Sequence, residues 1–234
     1  MPVFYLTQAL RFPSPHLAED GLLAVGGDLS EERLLLAYRM GIFPWYSEGE
    51  PILWRSPEPR LILLPEEFHV SKRLQRAIRQ RVFSVTSDEA FEGVMRACAD
   101  TPRREQRGTW ITPHMIDAYC RLHESGYAHS VECRQDGALV GGLYGVSLGK
   151  CFFGESMFSQ VPNASKVALA TLVEQLKAWA FELIDCQIMT PHLLRLGARE
   201  VSRRQFMRRL QHALRAETRR GKWRLHDRAG ESGR

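Results

Sequence analysis

Apolar and polar positions change rhythm along this chain, and the changes mark out its elements. The first sixty residues hold no sustained period; Pro, Gly and large aromatics break them up. One amphipathic stretch stands out there. Glu31 to Met40 predicts a helix, with Ser30 as N-cap, Glu31 and Glu32 in the first turn, and Gly41 to end it. Around it, Gly21–Asp28, Gly41–Ser47 and Trp54–Arg60 read as loops and short strands. A small N-terminal α+β domain over residues 1–60 is expected.

From residue 61 helical and strand patterns alternate. A helix capped by Ser71 is predicted over Lys72 to Gln80, a strand over Phe83 to Thr86, and a helix from Asp88 to Cys98. Thr112-Pro113 starts another helix and Gly126 stops it. Strands follow over His129–Arg134, Leu139–Ser147 and Lys150–Ser156, the first two joined by the turn pair Asp136-Gly137. Ser165 is the expected cap of the longest helix, Lys166 to Phe181. A buried strand at Leu183–Ile188, a short helix at His192–Leu196 and a basic helix from Arg203 to Ala216 complete the pattern. A hairpin, a third strand, a long helix, then a strand and a helix is the core order of acetyltransferase-like (GNAT-like) N-acyltransferases. The expected fold is α+β with a mixed sheet, residues 61–234 forming the larger domain.

Composition narrows the class. Hydrophobic residues make up 44% of the 234 and charged residues 25%, as in ordinary globular chains with a real core. The formal charge of +5 is uneven: Arg203 to Arg224 holds nine basic side chains and one acid, a net +8, leaving −3 for the rest. That asymmetry suits a polyanionic partner, or a solvated charged helix. Cys98, Cys120, Cys133, Cys151 and Cys186 are odd in number and form no Cys-x-x-Cys. They read as reduced, mostly buried thiols with no zinc site. The N-terminus lacks the pattern of a signal peptide and no run approaches a membrane span, so a cytoplasmic protein is expected.

Nine short blocks then point to a family. They are Gly26-Gly-Asp-Leu-Ser30, Gly41-Ile-Phe-Pro-Trp45, Trp54-Arg-Ser-Pro57, Gly108-Thr-Trp-Ile-Thr112, His129-Ser-Val-Glu132, Gly141-Gly-Leu-Tyr-Gly145, Phe153-Gly-Glu-Ser-Met-Phe-Ser159, Ala164-Ser-Lys166 and Leu183-Ile-Asp-Cys-Gln187. Together and in this order they closely resemble the leucyl/phenylalanyl-tRNA–protein transferases, from about Phe12 to Arg204. The resemblance implies transfer of Leu or Phe, and Met less well, from aminoacyl-tRNA to an N-terminal Arg or Lys, marking the acceptor for N-degron (N-end rule) proteolysis. Leu-tRNA, Phe-tRNA and Met-tRNA are then donors and substrates; no cofactor and no metal is implied. With no dimerisation signal in the sequence, a monomer is expected.

The chemistry suits such a chain. The ester is already activated, and an α-amine of ordinary pKa near ~7.7–8.0 is partly neutral at cellular pH. Alignment, proton removal and oxyanion stabilisation remain. Asp185 and Gln187, two apart on a predicted strand, would share a face, and a carboxylate there is costly to bury alone; strand-end caps are the alternative. The resemblance places both at the reacting centre. Gln187 would orient the attacking amine or relay its proton, although an amide is a poor base and the substrate's ribose hydroxyl could do this instead. Asp185 would hold and polarise Gln187 or meet the cationic acceptor. Glu155, polar among large apolar residues, is implied in the donor site, against the alternative of a structural ion pair.

By the same resemblance Leu143, Gly154, Ser156, Met157, Leu169 and Ile184 form the donor side-chain pocket, where flexible walls admit an unbranched Cβ; each is also an ordinary core residue. The family often has Met where Leu143 stands, a volume-conserving exchange. Tyr38, Trp45, Trp110 and Tyr119 are implied near the aminoacyl-adenosine at the tRNA 3′ end, where aromatics stack on splayed bases, or else pack between the domains. Lys72, Arg73, Arg76, Arg79, Arg203, Arg204, Arg208 and Arg209, with Arg103, Arg104 and Arg107 in a loop, are the cations expected to hold the tRNA body. The segment from Arg219, Arg-Arg-Gly-Lys-Trp-Arg-Leu-His-Asp, reads either as a disordered tail or as one that docks on tRNA. A CoA-dependent N-acyltransferase fits less well, because Pro162-Asn-Ala-Ser-Lys166 before the long helix holds no Gly for a pyrophosphate turn. A non-catalytic RNA-binding module would leave Asp185, Gln187 and Glu155 without purpose.

Overall fold

The computed structural model describes residues 4–101 and 109–225. Near the N-terminus, β1 (Phe4–Leu6), β2 (Leu22–Gly26), α1 (Glu31–Arg39), β3 (Phe43–Pro44) and β4 (Leu53–Arg55) come first, and the strands make a four-stranded sheet in the order β1-β2-β4-β3. The chain continues with β5 (Arg60–Leu63), α2 (Lys72–Arg79), β6 (Ser84–Ser87), α3 (Phe91–Ala99), α4 (Pro113–Glu124), β7 (Ala128–Gln135), β8 (Ala138–Leu148) and β9 (Cys151–Ser159). After α5 (Ala164–Ala178) come β10 (Leu183–Gln187), α6 (Pro191–Leu194), β11 (Arg199–Val201) and α7 (Arg203–Ala213). These strands build a seven-stranded sheet, β11-β5-β10-β9-β8-β7-β6, in which only the β10–β9 pair is parallel. The fold is α+β with a mixed sheet, in the expected order of hairpin, third strand, long helix and returning strand.

Period-two alternation feeds two cores, one on each face of the large sheet. Ile62, Tyr144, Phe153 and Leu183 join the core shared with α1, α3, α4, α7 and the small sheet. Their neighbours Leu61, Leu63, Leu143, Phe152 and Ile184 join the core under α2 and α5. The small sheet is thus packed onto the large one through a continuous apolar layer. Among the described residues no helix is long and apolar enough to cross a membrane.

Several expectations shift, each for a local reason. Asp88 does not start a helix. Its φ of 56° is left-handed, and its buried carboxylate accepts from the Ser130 N–H (2.8 Å) and the Trp223 N–H (2.7 Å) and contacts His129 Nδ1 (2.8 Å), so α3 begins only at Phe91. Ser165 does not cap α5. Asn163, at φ 71°, stands at the N-cap, while the Ser165 N–H donates to Ser159 Oγ at 3.3 Å. The predicted strand at Phe83 is displaced by one residue to Ser84–Ser87, and α7 ends at Ala213 rather than Ala216. Arg60 begins β5 of the large sheet, and both β5 and β11 escaped the sequence reading.

The tail from Arg219 to Leu225 lies on the body of the protein, against the disordered alternative, and the last two residues of the segment fall outside the described ones. The Trp223 indole is 2% exposed and stacks on His129 with centroids 3.7 Å apart, while the Arg219 and Arg220 guanidinium groups lie over Trp179 and Tyr127 at 4.3 and 4.5 Å.

Candidate active site

The parallel pairing within the large sheet creates the site. β10 pairs with β9 only through Leu183–Asp185 against Cys151–Phe153; beyond this the two strands part. A cleft of about 630 Å³ opens between Gly154–Met157 on one lip and Cys186–Leu193 on the other. Leu169 and Leu172 of α5 and Leu143, Phe152 and Ile184 of the sheet wall it, and Phe43, Pro44, Trp45 and Trp110 close another side.

Both lips are shaped by irregular pairing. Tyr144 faces Ser156 and Gly145 faces Gly154, so Glu155 is the extra residue of a bulge in β9. Asp185 faces Ile62 and Gln187 faces Leu61, so Cys186 is the extra residue of a bulge in β10. Bulges re-aim side chains. Here one brings Glu155 to the cleft beside Gly154, Ser156 and Met157, and the other leaves Gln187 at φ 61°. Gly145 is required opposite the first bulge, since a Cβ there would come within 2.2 Å of the Phe153 carbonyl oxygen.

Behind the cleft the polar groups form one sealed network. Glu155 Oε1 accepts from the Tyr38 hydroxyl at 2.8 Å and from Gln187 Nε2 at 2.7 Å, and Oε2 accepts from the Tyr119 hydroxyl at 3.3 Å. The two phenol oxygens also touch each other. Burial pushes the Glu155 carboxyl up to about 7, against the pull of the Tyr38, Gln187 and Tyr119 hydrogen bonds and with a further rise from the Asp185 charge. Burial, then the Glu155 charge, pushes both phenols well above their usual value, so they remain donors. Because Gln187 Nε2 is committed to Glu155, its amide carbonyl is the end left for a ligand.

Asp185 lies one layer deeper. It is 0% exposed and does not line the cleft; Arg60 Nε and Nη2 grip its two oxygens at 2.8 and 2.6 Å. The Arg60 guanidinium is itself held between the Phe43 and Phe206 rings, 4.8 and 4.5 Å away. Asp185 Oδ1 accepts the backbone N–H of Gln187 at 2.9 Å, so it steadies the main chain of Gln187 and not its amide. Direct contact between Asp185 and a cationic acceptor is therefore excluded by its burial, a correction to the sequence reading.

The sequence-predicted residues separate into groups. Leu143, Gly154, Ser156, Met157, Leu169 and Ile184 all line the same cleft, as do Glu155 and Gln187. Trp45 and Trp110 line it with half-exposed rings, and the Arg55 guanidinium sits 5.2 Å over Trp45. Tyr38 and Tyr119 cannot stack on a base: they are 1% and 0% exposed, drawn inward by Glu155. Lys72, Arg73, Arg76 and Arg79 stand exposed on α2, and Arg204, Arg208 and Arg209 on α7. Arg203 does not join them, because its buried Nη2 donates to the Ser56 carbonyl at 2.8 Å and Nη1 lies 3.4 Å from Glu58. Arg103, Arg104 and Arg107 fall outside the described residues.

The sequence reading missed Arg60, the cleft-wall residues Phe43 and Phe152, and the rim residues Thr190 and His192. Arg60 had a faint signal: a cation directly before the apolar run Leu-Ile-Leu-Leu. Its partner lies 125 positions on, beyond any local pattern.

Comparison with known proteins agrees along the whole chain. A family described as leucyl/phenylalanyl-tRNA protein transferase matches residues 62–211, and the N-terminal domain of that transferase matches residues 27–58. A leucyl/phenylalanyl-tRNA–protein transferase from Desulfatibacillum aliphaticivorans is 60% identical over 231 residues, 98% of this chain and 99% of its own. One from Syntrophobacter fumaroxidans is 61% identical over 208 residues, covering 88% and 89%. Among solved structures, a GCN5-related N-acetyltransferase from Kribbella flavida superposes with a TM-score of 0.34 at 12% identity, over 72% of this chain and 60% of that one.

Proposed function

The chain belongs to the leucyl/phenylalanyl-tRNA–protein transferase family, and from that premise we propose how its cleft carries out aminoacyl transfer. It is an aminoacyltransferase with aminoacyl-tRNA and protein as substrates. Our reading is that Leu or Phe, and Met less well, passes to an N-terminal Arg or Lys in the cytoplasm, that the enzyme acts as a monomer without cofactor, and that the product is a substrate for N-degron proteolysis.

The observation that carries this reading is a cleft with apolar walls in which the polar pair Glu155 and Gln187 meets. An unbranched donor side chain fits between Leu143, Met157, Leu169 and Ile184, while Trp45 and Trp110 offer faces to the terminal adenine. That seats the ester carbonyl beside Gln187. The neutral α-amine attacks this carbon, a C–N bond forms, the bond between this carbon and the ribose oxygen breaks, and the amine proton ends on that oxygen as the ribose hydroxyl. The carbonyl of Gln187 accepts a hydrogen bond from the amine N–H and so aligns the amine lone pair. Glu155, fixed by two phenols, fixes Gln187 in turn, while Arg60, Asp185 and the Gln187 N–H lock the strand behind it. Alignment of this kind is worth several kcal/mol of barrier. We assign Glu155 and Gln187 to catalysis, and Asp185 with Arg60, Tyr38 and Tyr119 to positioning. The exposed cations of α2 and α7 are our candidates for the tRNA body, and the small N-terminal sheet supplies Phe43–Trp45 to the cleft.

The test is direct. Purified protein is incubated with radiolabelled Leu-tRNA and two peptides, one beginning with Arg and one with Asp. Label on the Arg peptide alone is expected. Equal label on both removes the acceptor assignment, and label on neither removes the transferase reading.

A further inference from the structure

The roles above leave one group of basic side chains beside the cleft unused. His192 lines the cleft from α6. Arg195 follows three positions on with helical backbone, which places it on the same side. Lys166 comes from the first turn of α5, whose next two turns give Leu169 and Leu172 to the cleft. The three are close enough to feel one another: burial, then Lys166, then Arg195 hold the His192 imidazole below its usual value, with no carboxylate opposing them. Among the described residues neither Lys166 nor Arg195 has an ion-pair partner. Asn163 gives α5 no side-chain cap, so the positive end of that helix adds to the same field.

Such a rim repels one substrate and attracts the other. An acceptor brings an α-ammonium and a cationic side chain, and is disfavoured here. The donor brings phosphates, and the one nearest the reacting ester joins the terminal adenosine to the nucleotide before it. We propose that Lys166, His192 and Arg195 form the subsite for this phosphodiester, holding the 3′ end by its backbone while the apolar cleft reads the amino acid. The proposal rests on the aminoacyl-tRNA reading of the cleft. It divides the cleft into a donor side at α6 and the N-terminus of α5, and an acceptor side away from them. Arg and Lys grip phosphate through charge-assisted hydrogen bonds, and a neutral imidazole adds one N–H.

Two minimal donors separate the contribution: leucyl-adenosine, and leucyl-adenosine carrying a 5′-phosphate. For the wild-type chain the phosphate should lower the donor KM by about tenfold, the worth of one such bond. In the Lys166→Gln/Arg195→Gln variant the KM ratio of the two donors should fall to near one, and Lys166→Arg, which keeps the charge, should keep the ratio. An unchanged ratio in the Gln variant, or an effect confined to the KM of the acceptor peptide, overturns the subsite. Absence of transfer even from intact Leu-tRNA overturns the transferase reading beneath it, so the two failures are told apart.

Discussion

Replacing Arg60 by Met tests whether the buried pair behind the cleft serves stability or geometry. Arg60 and Asp185 are 1% and 0% exposed and joined by two hydrogen bonds of 2.8 and 2.6 Å. Arg60→Met leaves the Asp185 carboxylate buried and unpaired, which costs about 3–5 kcal/mol. That is a large part of a typical stability of roughly 5–15 kcal/mol. Arg60→Met/Asp185→Leu removes both charges, so most of this loss should return. What remains is the orphaned Gln187 N–H, which now reaches Asp185 Oδ1 at 2.9 Å, and its loss costs about 1–3 kcal/mol. Activity should not return with stability. Gln187 sits at φ 61° and depends on that bond for its place. A displacement of about 1 Å at the reacting centre costs on the order of 10²-fold in rate. Urea midpoints at pH 7, read beside kcat for Leu transfer to an Arg peptide, give both quantities. A double variant as unstable as the single one, or a stable double variant with wild-type kcat, would refute the reasoning.

Three further outcomes follow from the same geometry. Glu155 keeps its proton to about pH 7 when folded, against 4.5 ordinarily, so between those values the folded state binds the extra proton and stability falls as pH rises. The loss is on the order of 3 kcal/mol across that window, and Glu155→Gln should flatten this part of a stability-versus-pH curve; a variant with the wild-type slope contradicts the shift. Leu169→Phe narrows the cleft from α5 and should lower kcat/KM for Phe-tRNA more than for Leu-tRNA, whereas an unchanged ratio places the donor side chain elsewhere. Trp223→Ala empties a site that is 2% exposed and stacked on His129, and should cost about 3–5 kcal/mol in chemical denaturation while donor KM stays unchanged; a raised donor KM would instead link the tail to the cleft.

What the sequence revealed depended on whether each cause was local. Helices with good caps were legible: Thr112 accepts from the Met115 N–H and Ser71 from the Leu74 N–H, as their positions predict. The Asp136-Gly137 turn also follows from its residues, with φ of 51° and 80°. Asp88 misled because an acid before a helix looks like a cap wherever its real partners lie, here 42 and 135 positions away. The cleft residues Leu143, Gly154, Ser156, Met157, Leu169 and Ile184 came from family resemblance, since a pocket wall and a core have one composition. Tyr38 and Tyr119 show the limit of that method. Resemblance implied nearness to the terminal adenosine, but not which way a ring faces, and the rings turn inward to Glu155.

Bulges were wholly hidden, and they decide the site. A regular β10 would put Asp185 and Gln187 on one face of the sheet, with both carboxylate and amide in the core. One extra residue, Cys186, sends Gln187 to the cleft and keeps Asp185 beneath it. One extra residue in β9 does the same for Glu155. The pair then meets at 2.7 Å across the place where two parallel strands separate. This division explains why so many polar groups are buried beside a cleft that exposes so few. An amide is too weak a base to remove a proton unaided and can contribute chiefly by direction. Direction requires a fixed rotamer, and each group that fixes it must itself be held. The chain Phe43–Arg60–Asp185–Gln187–Glu155–Tyr38 meets that requirement with side chains from four strands, one helix and both sheets. On the roles proposed above the N-terminal segment is part of the catalytic scaffold, since it supplies both a wall of the cleft and the outer supports of its network.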